Sequence, residues 1–150
     1  MKPLSYRAII VAAVCGAAAA LMVNSVMIGA GFGELNFSWM LGAVCLLVAA
    51  GAVWLGVQVA RYRRIQTREK VPHMGPILAA RAVAYAQGSI MTGALLTGWC
   101  AAILGYHVAM VSVRGFSVVF WEVLVNCVGS VALLIAGLWA QPCCRIPPGD

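Results

Sequence analysis

Four long apolar stretches, separated by short polar or basic segments, set the pattern of this chain. The first runs from about Ala8 to Ala30, behind Lys2 and Arg7, and stops where Gly29, Gly31 and Gly33 make helix breaks cheap. The second opens at Ser38, a candidate cap, and continues to about Ala60, where it meets Arg61-Tyr62-Arg63-Arg64. A basic linker, residues 61–76, follows with five positive charges and one negative, closed by Pro72, Gly75 and Pro76. The third stretch, Ile77 to about Met110, would be about 51 Å long as one helix, well beyond a hydrocarbon core of ~30 Å. Its first part, Ile77 to Ala84 with Arg81, is therefore expected to form an interfacial turn or two, with residues 85–110 spanning. The fourth runs from about Val118 to Ala140 and meets Gln141-Pro142.

Each stretch approaches or exceeds the roughly 20 apolar residues that cross a bilayer. The pattern predicts an all-α, polytopic helical membrane protein, one domain over 1–150 with four transmembrane helices at about 8–30, 38–60, 85–110 and 118–140. The first stretch is longer than the 7–15 residues typical of a signal-peptide core, and Val14 before Cys15 spoils a lipoprotein cleavage site, so a retained signal anchor is expected.

Composition closes off the alternative. With 63% hydrophobic and 9% charged residues, the chain has too little charge to clothe a water-soluble domain. A net charge of +6 would suggest nucleic acid in a soluble chain; in a membrane protein it records which loops face the cytoplasm, and no nucleic-acid partner is expected. Lys2, Arg7, Arg61, Arg63, Arg64, Arg68, Lys70, Arg81 and Arg145 fall on one side, Arg114 alone on the other. Both termini are thus expected in the cytoplasm, with the protein in the plasma membrane. Aromatic residues agree: Phe32, Phe37, Trp39, Phe116, Phe120 and Trp121 mark the outer boundary, and Tyr6, Tyr62, Tyr85 and Trp139 the inner one.

Helices in lipid associate through close backbone approach at small residues and through polar side chains that find partners. In the third stretch Ser89, Gly93, Thr97, Ala101 and Gly105 recur every four residues and would line one helix face. Gly42, Ala49 and Gly56 repeat every seven in the second stretch, and Ala132, Ala136 and Ala140 every four in the fourth. These faces fit packing within the bundle, with self-association as the alternative.

Candidate chemistry is sparse. Glu122 enters the fourth stretch just below the outer boundary, with His107 and Arg114 near the same edge. The three residues form either a proton-accepting or ligand-binding cluster opening outward or a structural ion pair snorkelling to the interface. Asn24 and Ser25 could hydrogen-bond across helices, and Gln87 could cap a polar pocket on the cytoplasmic side near Arg81. The basic loop fixes topology and attracts anionic lipid. Cys15, Cys45, Cys100 and Cys127 lie in the spans and Cys143-Cys144 in the tail, a distribution without a secreted disulfide framework or zinc spacing. No phosphate-cradling loop, nucleophile elbow or carboxylate pair is present. No enzymatic activity, metal or cofactor is expected. Expected partners are membrane lipid and a membrane protein or second copy, and the expected role is an accessory or scaffold subunit. The alternative is a small proton-coupled transporter working as a homodimer through Glu122.

Two segments carry a resemblance. Residues Pro76 to Ser89, reading Pro-Ile-Leu-Ala-Ala-Arg-Ala-Val-Ala-Tyr-Ala-Gln-Gly-Ser, continue into Gly93-Ala94-Leu95-Leu96-Thr97-Gly98-Trp99. The tail carries Gly137-Leu138-Trp139 and Cys143-Cys144-Arg145-Ile146-Pro147-Pro148. Together they resemble a family of small actinobacterial membrane proteins of unknown function, over nearly the whole chain. The resemblance implies four spans, genes that often lie beside folate-biosynthesis genes, and no established activity. It nominates Arg81 and Arg145 as cytoplasmic interaction residues, together with Gln87, which stands where family members commonly carry lysine.

Overall fold

The computed structural model describes residues 5–32, 37–63, 76–115 and 117–143. Among these there are four α-helices and no strand: α1 (Tyr6–Gly29), α2 (Met40–Arg63), α3 (Pro76–Arg114) and α4 (Val118–Cys143). All four are long and apolar enough to cross a membrane.

Local chemistry sets the helix ends. Ser5 caps α1, its hydroxyl accepting from the Ala8 N–H at 3.4 Å. At the other end Gly31 takes a left-handed φ of +77°. That conformation lets the Gly31 N–H reach the Ile28 carbonyl and the Phe32 N–H the Met27 carbonyl, the paired bonds of a Schellman turn. Gly115, at φ +69°, ends α3 with a single bond from its N–H to Val111. Of Gly29 and Gly31, it is thus Gly31 whose backbone freedom makes the turn, while Gly33 lies outside the described residues.

The third helix departs from the expected division. The segment 77–84 is not a separate turn; α3 is continuous over 39 residues from Pro76. Proline at the first helical position costs no hydrogen bond, and Ala79, Ala80, Ala82 and Ala84 favour helix. Tertiary contact adds to propensity, since Ala82 is buried in a cluster with Val59 of α2. α2 starts at Met40, two residues after Ser38, and α4 runs through Pro142 to Cys143.

Helix α3 is the hub. It packs along α1 and along α4, while α2 lies against α4 and touches α3 more lightly. The inside is made of small side chains: among the described residues, nine of the sixteen buried apolar ones are alanine. The large ones, among them Trp54, Trp121, Trp139, Leu47 and Val26, point outward. This inversion of a soluble core is what a lipid solvent asks for.

The seams are glycine-tight. A Cβ on Gly16 would overlap the Leu95 carbonyl, and one on Gly98 the Ala13 carbonyl, so α1 and α3 meet backbone to backbone. One on Gly93 would stand 2.7 Å from the Leu134 nitrogen, and one on Gly129 2.7 Å from the Gly42 carbonyl. Along α1 the buried residues are Ala12, Gly16, Ala20 and Asn24, one every fourth position. Along α2 they are Gly42, Cys45, Ala49, Ala52, Gly56 and Val59, alternating steps of three and four as in a coiled-coil seam. We expect Gly16→Val and Gly98→Val each to destabilise the fold by at least ~1–3 kcal/mol through overpacking. Gly88→Ala, which meets nothing within 4 Å, should leave the melting temperature in detergent unchanged.

Candidate functional site

Polar groups inside the bundle gather toward the end where α1 hands over to α2. Ala20, Ile103 and Val123 form one buried cluster of α1, α3 and α4. Asn24 lies one turn beyond Ala20, His107 one turn beyond Ile103, and Glu122 next to Val123. Because α1 and α3 cross in the same direction, these three polar residues come to nearly one level. Asn24 and His107 are buried and Glu122 is half-buried. None of the three stands without a partner. The His107 and Tyr106 rings stand nearly perpendicular, with centroids 5.8 Å apart. Arg114 is the last residue of α3, and its side chain lies outside the described residues.

A polar tie between α4 and the start of α2 falls on Asn126, which is not among the residues singled out from the sequence. Asn126, 2% exposed, projects from α4 onto the start of α2. Its Oδ1 accepts from the Gly42 N–H at 2.8 Å, and its Nδ2 donates to the carbonyls of Phe37 at 2.8 Å and Ser38 at 3.4 Å. A helix start leaves its first amides without partners inside the helix. Here a side chain from another helix serves one of them and fixes the incoming strand of chain as well. An asparagine within an apolar run was the available signal, since an unmatched amide in hydrocarbon is costly.

One turn further, Ser130 donates to the Cys127 carbonyl at 2.9 Å, and its hydroxyl also lies in hydrogen-bond contact with the Cys100 thiol. Cys45, Cys100 and Cys127, on α2, α3 and α4, are all free thiols. Among the described residues no group of three or more His, Cys, Asp or Glu side chains is arranged to hold a metal. The side chains of Cys143 and Cys144 lie outside the described residues.

Other hydroxyls turn back on their own helices. Ser25 donates to the Leu21 carbonyl at 2.7 Å, facing lipid instead of bridging helices, and Thr97 donates to Gly93 at 2.6 Å. Near the middle of α2, Tyr85 reaches across from α3 to donate to the Val48 carbonyl at 3.2 Å, over Gly51, which leaves room for the phenol. Arg81 is exposed one turn before it and Gln87 is half-buried; Arg145 lies outside the described residues. The small-residue stripe of α3 divides. Ser89 and Gly93 are buried and Thr97 half-buried, but Ala101 and Gly105 face away from the bundle. The helix's tight contacts in that half pass instead through Cys100, Ile103 and His107.

Four membrane-competent helices with small, mutually touching inner faces and large apolar outer ones define a multi-pass helical membrane protein in contact with lipid. The chain belongs to a family of proteins of unknown function, DUF3180, whose model matches residues 9–148. No curated protein and no solved structure matches it.

Removing the Asn126 amide strands the Gly42 N–H. Asn126→Leu is expected to cost about 1–3 kcal/mol in unfolding free energy. Hydrogen exchange should rise at the first turn of α2 and not at that of α1.

Proposed function

We propose that this protein is a non-enzymatic accessory or scaffold subunit of the plasma membrane that packs against another membrane protein. The observation that supports this most directly lies on α3, where Ala101, Gly105 and Ala109 repeat every fourth position on the exposed surface. Nothing lies within 4 Å of a Cβ built on Gly105. Small residues at this spacing let a second helix approach closely, and the bundle itself does not use this part of the stripe. The termini and the basic 61–76 loop face the cytoplasm in this reading, by the bias of positive charge.

Gly105→Leu is the test. It should abolish co-purification of a second membrane protein in mild detergent while leaving the melting temperature unchanged. Gly93→Leu would not discriminate, because Gly93 sits against the Leu134 backbone inside the bundle. Recovery of wild type as a lone monomer after gentle crosslinking would refute the reading.

A second reading rests on Asn24, His107 and Glu122 coming to one level. In that reading Glu122 accepts a proton in a small coupled transporter acting as a homodimer. Reconstituted protein should then release protons on adding substrate, and Glu122→Gln should be silent. Absence of proton release from wild type at every pH would end it.

A further inference from the structure

Contacts along the seams set the height of each helix beside its neighbour, and the two edge helices do not match. Among the described residues, α1 lies at one edge with its backbone against α3 alone, while α2 lies at the other against α4 and, lightly, α3. Ala13 and Gly16 meet Gly98 and Leu95, which puts Arg7 about level with Ser89 of α3. Val59 meets Ala82, which puts the end of α2 about level with Arg81. Arg7 therefore stands about eight residues, ~12 Å, further along the bundle than Arg81. The other ends repeat the offset. Gly42 meets Val125 and Gly129, so Met40 is about level with Val125 of α4. Gly93 meets Leu134 and Gly137 meets Ile90, so the end of α1, about level with Val111 of α3, comes near the start of α4. The end of α1 thus stands about nine residues, ~13 Å, beyond the start of α2. We propose that the protein stands tilted by at least about 30° in a bilayer thinner than the usual ~30 Å of hydrocarbon, so that both edges meet the same two lipid surfaces. This goes beyond the accessory role and concerns the lipid instead of a protein partner.

Geometry sets both figures. With α3 between the edges, two interaxial steps of 8–10 Å separate α1 from α2, at most about 20 Å. Levelling ~12 Å over that distance takes a tilt of about 30° or more, in the upper part of the range for membrane helices. The apolar part of α2, Met40–Arg61, has 22 residues, or about 33 Å upright and about 29 Å or less at that tilt. An upright stance is costly. With Arg81 and the end of α2 at the headgroups, the exposed Arg7 would lie ~12 Å into hydrocarbon, where a guanidinium is expensive even when it snorkels. Tilt instead carries two exposed rings, Tyr6 at the start of α1 and Trp39 just before α2, to the boundaries that such rings favour. The length of α3 fits the same slant. Its apolar part has 33 residues, against 24 in α1 and 22 in α2, and this excess lets it serve the heights of both edges.

The test uses the full chain reconstituted in dipalmitoleoyl phosphatidylcholine, which forms a thin bilayer, or in dieicosenoyl phosphatidylcholine, which forms a thick one. Polarised infrared spectroscopy of aligned bilayers of the thin lipid should give a mean helix tilt of about 30–40°, against about 20° for an average membrane helix. The melting temperature should be several degrees higher in the thin lipid than in the thick one. Arg7→Leu should not raise it in either. A mean tilt below about 30° would overturn the proposal. So would a melting temperature in the thick lipid equal to or above that in the thin one, or an Arg7→Leu variant that melts several degrees above wild type.

Discussion

Everything in this fold depends on how closely backbones approach when lipid, not water, is the solvent. Apolar side chains gain little by leaving hydrocarbon for a protein interior, so the helices cannot be held by burying leucines. What remains is dispersion between surfaces in contact and the few polar bonds that cross between them. Gly16 and Gly98 bring α1 onto α3, Gly93 and Gly137 bring α3 onto α4, and Gly42, Gly56 and Gly129 bring α2 onto α4. Each contact is made by main chain on at least one side. The preponderance of alanine in the interior follows from the same requirement, because a larger side chain would hold the backbones apart.

Against this weakly directional packing, Asn126 supplies direction. A seam of small residues could slide by a turn with little loss of contact, but three hydrogen bonds from one amide to the start of α2 are satisfied in one register only. The tie lies beside the tightest α2/α4 approach, Gly42 against Gly129. Small residues and the asparagine therefore act together: the glycines bring the amide within reach, and the amide fixes which glycines meet. Tyr85 does similar work at the middle of α2, linking it to α3, with which its direct contact is slight.

The number and nature of the helices were legible from the sequence because apolar length alone decides them. The seams were partly legible. Gly42, Ala49 and Gly56 lie at the α2/α4 contact as their seven-residue spacing suggests, and Ala136 and Ala140 are buried with them. The Ala12, Gly16, Ala20, Asn24 stripe carried the same kind of signal, hidden in a segment so rich in alanine that several faces look alike. The α3 stripe holds at Ser89 and Gly93 and is lost beyond them for a geometric reason: every fourth residue advances about 40° around the helix axis, so the row winds off the packed face and Ala101 and Gly105 point away from the bundle. Hydrogen-bond partners were least legible, since nothing in the order of residues says that position 126 will meet position 42.

The length of α3 bears on how its ends are solvated. Its apolar part alone, Arg81–Val113, has 33 residues, or about 50 Å of helix, too much for a hydrocarbon layer of ~30 Å at any ordinary tilt. One end must therefore stand in the headgroup region. The exposed Arg81 guanidinium falls at the start of α3, level with the end of α2 through the Ala82–Val59 contact, and suits an interface better than hydrocarbon. Helix persists there because Ala82 is packed against Val59, so unwinding the first turns would expose a made contact as well as break backbone bonds. A helix that continues past the hydrocarbon while remaining packed holds Arg81 on a rigid base, and so keeps its charge at a fixed height relative to the lipid phosphates.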